Sequence, residues 1–231
     1  GDTAGGTTVA SGARLELKGS ITVTGESLTI SGSGGNNRGA LQTESGANTW
    51  AGNVMLAANE TRVGAVGAGN SLTIAGAIGD GDANRTLAIR NDGGTTILSG
   101  ENTYGGNTDV VIGLLKIDGG DNRLPIGTVL RMGYTEGNDV STFDLNGWNQ
   151  QVAGLLARAT TTTTIVTNSS ATPSILTVNN SGNYTYSGLV TGNLALTKTG
   201  SGTLTLSGEN TYTGATNVNA GVLRINNASA L

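Results

Sequence analysis

One line of text occurs twice in this chain of 231 residues. Leu98 to Ile117 reads LSGENTYGGNTDVVIGLLKI and Leu206 to Ile225 reads LSGENTYTGATNVNAGVLRI, identical at 13 of 20 positions without a gap. The copies lie 108 residues apart, and upstream of them LAIRNDGGTTILSG parallels LALTKTGSGTLTLSG with one residue inserted. Such self-similarity narrows the choice of fold, because a repeat that cannot bury its own apolar face does so by stacking on the next.

Between the copies, apolar residues recur in pairs separated by one polar or small residue: Leu28 and Ile30, Leu72 and Ile74, Leu87 and Ile89, Leu130 and Met132, Leu176 and Val178, Leu194 and Leu196. Alternation with period two places both members on one face of a short strand. Clusters such as SGSGGNN, GDGDAN and DGGDNR follow within a few residues and favour turns. No stretch of ten residues has helical apolar spacing. The aromatic residues total 3% and Gly reaches 39, so the core is narrow and filled by Val, Ile, Leu and Thr.

The fold expected is all-β: a parallel β-solenoid, a right-handed β-helix. At about 20 residues per coil, rising about 4.8 Å each, the chain makes roughly ten to twelve coils. The whole span 1–231 is read as a single solenoid segment, with a super-repeat of about five coils at about 72–120 and 180–228. In each copy LSG ends a strand, ENTY turns a corner, TDV or TNV opens the next strand, and GLLKI or GVLRI follows. Tyr104 and Tyr212 then cover equivalent corners of the core.

Composition limits function. A net charge of −4 with no Lys/Arg run gives nothing to neutralise phosphates, so nucleic acid is not an expected partner. No apolar stretch nears the roughly 20 residues of a membrane helix, so no membrane insertion of this segment is expected. The absence of both His and Cys removes the Ser-His-Asp triad, thiolate chemistry and the usual zinc ligands. Carboxylate pairs remain, and such pairs cleave glycosidic bonds elsewhere. Here Asp80 with Asp82, Asp118 with Asp121, and Glu136 with Asp139 all lie in Gly/Asn-rich turns, where acidic residues serve conformation and solubility. GDGDAN and DGGDN offer oxygen ligands but match neither the EF-hand spacing nor the nine-residue calcium repeat. No catalytic residue, cofactor or metal site is assigned. GAVGAG, from Gly64 to Gly69, reads as a turn, Thr160–Thr164 as an exposed strand or loop, and Trp50 and Trp148 as turn caps.

KTGSGTLTLSGENTYTGATNVNAGVLRINNASAL closely resembles the autotransporter-associated β-strand repeat of bacterial passenger domains. STFDLNGWNQQVAGL, from Ser141 to Leu155, resembles another recurrent element of those proteins. The resemblance implies a secreted β-helical stalk or adhesive segment at the bacterial cell surface, and no enzyme. The partners it implies are adjacent repeats and a host or environmental surface or glycan. The text starts and stops in mid-pattern, and joining Leu231 to Gly1 restores the internal succession of strands, so end-to-end stacking into a rod or fibre is expected. The alternative is a carbohydrate-active β-helix, a polysaccharide lyase or tailspike. Three or more acids with Arg or Lys on one solenoid face would favour that alternative; a face lined with Thr, Asn and Ser would favour the stalk.

Overall fold

The computed structural model describes residues 5–134, 139–158 and 163–228. Among these every regular element is a strand. Each coil contributes strands to three faces, and strands of successive coils pair in parallel. The first face starts with Thr7–Val9, Leu28–Ile30, Val54–Leu56 and Ile78–Gly79, and resumes with Gln150–Val152, Ser174–Asn179, Leu194–Thr199 and Thr216–Val218. In between, side chains carry the ladder: Asn102 Nδ2 donates to the Arg123 carbonyl (2.7 Å), and the Leu124 N–H donates to Gln150 Oε1 (3.0 Å). The second face includes Leu15–Lys18, Leu41–Ser45, Thr61–Ala65, Val129–Met132, Gly154–Ala157, Tyr184–Tyr186, Thr203–Leu206 and Val222–Ile225. The third runs from Thr22–Val23, Ala47–Trp50 and Ser71–Ile74 to Val140–Asp144, Thr163–Asn168, Leu189–Gly192 and Thr211–Tyr212. Two long strands, Leu87–Leu98 and Thr108–Ile117, bend through the corner between the second and third faces and belong to both, their ladder broken by a register shift at the bend.

The stack makes about nine turns, just under the count based on 20-residue coils. The coils are longer than that in most places. Aligned residues are 26 apart at Leu28/Val54, 28 at Lys116/Asp144 and 26 at Gln150/Leu176. Where the repeated line falls they shorten, to 19 at Thr95/Leu114 and 20 at Thr191/Thr211.

The alternating pairs point inward as their period requires. Leu72, Ile74, Leu87, Ile89, Leu130, Met132, Leu194 and Leu196 are completely buried in one continuous core, together with Phe143, the single phenylalanine of the chain. Burial of this kind stabilises by roughly 1.5–3 kcal/mol for each large aliphatic or aromatic side chain. Trp50 departs from expectation. It sits in a strand in line with Val23 and Ile74, its side chain faces the core at 2% exposure, and it caps no turn.

Candidate functional site

The corners are fastened by asparagine. Parallel strands leave amides and carbonyls unpaired wherever the chain changes face, and a buried amide without a partner costs about 1–3 kcal/mol. Asn91 answers this from one side chain: its Oδ1 accepts the Ala65 N–H of the coil below (2.8 Å), and its Nδ2 donates to the Leu114 carbonyl of the coil above (2.8 Å). Asn102 does the same between Ile78 (2.8 Å) and Arg123, and Asn168 between Gly147 (2.8 Å) and Asn193 (2.7 Å). These bridging asparagines escape sequence reading because Asn in a Gly-rich stretch signals a turn whether its side chain points in or out. The signal that could have found Asn102 is the repeat, which has Asn210 in the same place.

The acidic pairs are separated by their duties. Asp80 accepts the N–H groups of Arg85 (2.7 Å) and Gly105 (3.0 Å), which ties one coil to the next. Burial pushes its carboxyl upward, but the amides of Arg85, Gly105 and Asp82 and the Arg85 charge prevail and hold it below the ordinary 3.8. Asp82 is exposed in the turn at φ 60°. Asp118 accepts from the Gly119 amide (2.8 Å) and from Trp148 Nε1 (3.2 Å), and Asp121 from the Asn149 amide and side chain (2.8 and 3.0 Å). Trp148 thus covers its turn as expected. Asp139 is exposed, and Glu136 lies outside the described residues. No group of three or more metal-ligating side chains forms among the described residues. In Gly64–Gly69, Gly64 and Ala65 are the last two residues of a strand, and Gly67 and Gly69 turn with positive φ. Of Thr160–Thr164, Thr163 and Thr164 open a strand of the third face, and the others lie outside the described residues.

Tyr104 is buried, and its hydroxyl bonds Thr108 Oγ1 at 2.6 Å, while burial pushes its phenol above the usual range. Tyr212 bonds Thr216 Oγ1 at the same 2.6 Å from a half-buried position.

Two faces differ in their outer chemistry. One outward row of the third face passes through Thr22, Thr49, Thr73, Ile97, Lys116, Asp144, Thr167, Thr191 and Thr211, one residue per coil. Threonine thus dominates the row, and Thr211 donates to Thr191 at 2.9 Å. Where charge interrupts it, Lys116 pairs with Asp144 at 3.1 Å. Burial pushes the Asp144 carboxyl up, and bonds from Ser169, Asn146 and Lys116 outweigh that and hold it below 3.8.

The second face is charged instead. Asp109, 2% exposed, receives Arg131 through two bonds (2.5 and 2.7 Å) and Arg158 through a third (2.8 Å). Nearby along the face, Asp92 holds Arg38 (2.9 Å) and Arg90 (3.5 Å). Glu60, Arg62, Ala88, Asp109, Val111, Tyr134 and Arg158 enclose a polar recess of about 170 Å³. The spacing 62, 109, 131 and 158 carries no motif; only strand register brings these residues together.

Residues 89–117 and 196–225 match the passenger-associated-transport-repeat family, and both stretches are repeats of the autotransporter passenger type. Over 64 residues, 27% of this chain, the sequence is 44% identical to the adhesin BmaC autotransporter of Brucella suis biovar 1 (strain 1330); the match spans 2% of that protein's length. No solved structure matches the chain.

Proposed function

We propose, for a chain that carries two autotransporter passenger repeats, that it is a stalk or adhesive segment of a secreted protein at the bacterial cell surface, lengthened by coils stacked end to end. The observation that carries the stacking is the last described coil. Val218 lies in line with buried Val178 and Lys198 yet is 51% exposed, and Leu223 and Ile225 continue the buried row of Leu204 and Leu206 while only half covered. A further coil at about 4.8 Å would cover them and pair the open strand edges, a contact that propagates without closing. The threonine row on the third face supports the structural reading, since a regular outer surface whose one charged interruption, Lys116 with Asp144, is a closed ion pair suits a rod.

A charged second face is what a carbohydrate-active β-helix would show, and it holds three acids with five arginines. Asp92 and Asp109 are each bonded by two guanidinium groups, so neither offers the free carboxylate that a glycosidic acid-base pair needs. Sedimentation of the purified segment over a range of concentration tests the proposal. End-to-end association should grow with concentration and be suppressed by Leu223→Glu. A strictly monomeric rod at high concentration removes the stacking, and release of reducing ends from a polysaccharide removes the stalk reading.

A further inference from the structure

The polar recess on the second face has a lining whose chemistry points to a ligand. We propose that it binds one neutral pyranose residue of a glycan. Its volume of about 170 Å³ equals the space of roughly five or six water molecules, enough for one sugar ring. Two carboxylates, Glu60 and Asp109, and two guanidinium groups, Arg62 and Arg158, line the recess, and the further guanidinium of Arg131 is engaged on Asp109, so a polyol finds both acceptors and donors. Vicinal hydroxyls require that alternation, each donating to a carboxylate and accepting from a guanidinium. Tyr134 adds an aromatic wall, and Ala88 and Val111 a small apolar floor.

The polar groups are held in place before any ligand arrives. Asp109 is clamped by Arg131 and Arg158, and Arg62 Nη1 is fixed on Asn37 by bonds of 2.6 and 3.0 Å. Groups pinned in advance lower the ordering cost of binding. The recess is proposed as a binding site and not a catalytic one, since both oxygens of Asp109 are already engaged by guanidinium groups. The site stands on the recess alone and holds whether or not segments associate end to end.

Amide NMR titration of the whole segment with the methyl glycosides of glucose, galactose and N-acetylglucosamine tests it, with glucuronate and open-chain sorbitol as counter-probes. Saturable shifts centred on Arg62, Val111 and Tyr134 are expected with at least one neutral glycoside, and weaker or no response to both counter-probes. Tyr134→Ala and Arg62→Gln should each weaken binding about tenfold, with melting temperatures near that of the unaltered protein and with Lys116→Gln, on another face, indistinguishable from it. If no neutral glycoside saturates, if glucuronate alone does, or if both recess variants bind as before, the proposal fails.

Discussion

The two copies of the repeated line fold alike but do not lie on the same side of the solenoid. In the first, Leu98 ends a strand of the third face, Asn102 sits on the first, Thr108 opens the second and Leu115 lies on the third. In the second copy, Leu206 ends a strand of the second face, Thr211 lies on the third, Thr216 on the first and Leu223 on the second. Everything is displaced by one face, a third of a turn. The local bonds are preserved nonetheless. Asn102 accepts the Ile78 amide and Asn210 the Val190 amide, both at 2.8 Å, and each tyrosine hydroxyl meets its threonine at 2.6 Å. The repeat therefore encodes a corner with its two flanking strands, not a coil. Its 108-residue interval spans four and two-thirds turns, and a three-faced stack accepts the unit on any face because each presents the same ladder to it.

If the copies are physically equivalent units, matched substitutions should cost the same unless position in the stack intervenes. Leu98 and Leu206 are both fully buried, so Leu98→Asp and Leu206→Asp should each destabilise by about 4 kcal/mol or more, the cost of an unpaired charge between coils. Ile117 and Ile225 occupy the same repeat position, but only Ile117 is fully buried. Ile117→Ala should cost about 3–4 kcal/mol and Ile225→Ala about 1. Chemical denaturation of the four variants checks both comparisons; equal losses at the two isoleucines would mean that the last coil is covered in solution.

Glycine and asparagine positions sharpen the equivalence at smaller scale. A Cβ on Gly106 would overlap the Arg85 carbonyl, and one on Gly214 would press on the Leu194 carbonyl at 2.5 Å. Gly106→Ala and Gly214→Ala should both cost roughly 2–3 kcal/mol by prying neighbouring coils apart. Asn102→Ala strands the Ile78 amide and the Arg123 carbonyl, and should cost about 2–3 kcal/mol. Asn210→Ala strands the Val190 amide at a position exposed to the same 7% as Asn102, and should cost a similar amount, roughly 2–3 kcal/mol. Thermal melts of the four variants suffice, and clearly unequal losses at Asn102 and Asn210 would contradict the equivalence of the two corners.

Sequence carried the architecture because strand alternation is local and the repeat is explicit: Leu72 and Ile74, or Leu194 and Leu196, face the core as the period of two dictates. What it could not carry is register between coils. Coil length varies from 19 to 28 residues with corner insertions, and a single inserted residue decides which side chains become neighbours. Asp109, Arg131 and Arg158 therefore looked unrelated, and the recess they help to build was invisible. The same blindness applied to Trp50, whose flanking Gly suggested a turn although its strand alternation put it inside, and to Asp80, whose turn setting was plain but whose amide partners, Arg85 and Gly105, come from two levels of the stack.

The smallest expected effect concerns the one core-facing corner where the copies differ in chemistry. Asn91 of the first copy aligns with Lys198 of the second. Lys198 is completely buried, and its Nζ donates to the carbonyls of Thr199 (2.7 Å), Gly200 (2.9 Å) and Ala220 (3.2 Å). It replaces the upward bond of asparagine but, having no acceptor, cannot serve the coil below. Among the described residues no carboxylate pairs with it, and burial lowers its pKa from the ordinary 10.5. In the pH range between that lowered value and 10.5 Lys198 holds more protons in the unfolded chain than in the folded one, so its own contribution to stability rises with pH there, opposed near pH 10 by the raised phenols of buried Tyr104 and Tyr186, whose contribution falls. Lys198→Met should abolish that alkaline rise while leaving the acid limb, set by Asp80 and Asp144, unchanged: those carboxyls are held below 3.8, so their contribution is present above it and is lost as pH falls through their folded values. Lys198→Asn should go further and copy the Asn91 corner, accepting an amide from below as well as donating above. Denaturation midpoints measured from pH 3 to pH 10.5 for the three proteins decide the matter; an alkaline slope that survives in Lys198→Met would assign it to another group and leave the two corners chemically equivalent.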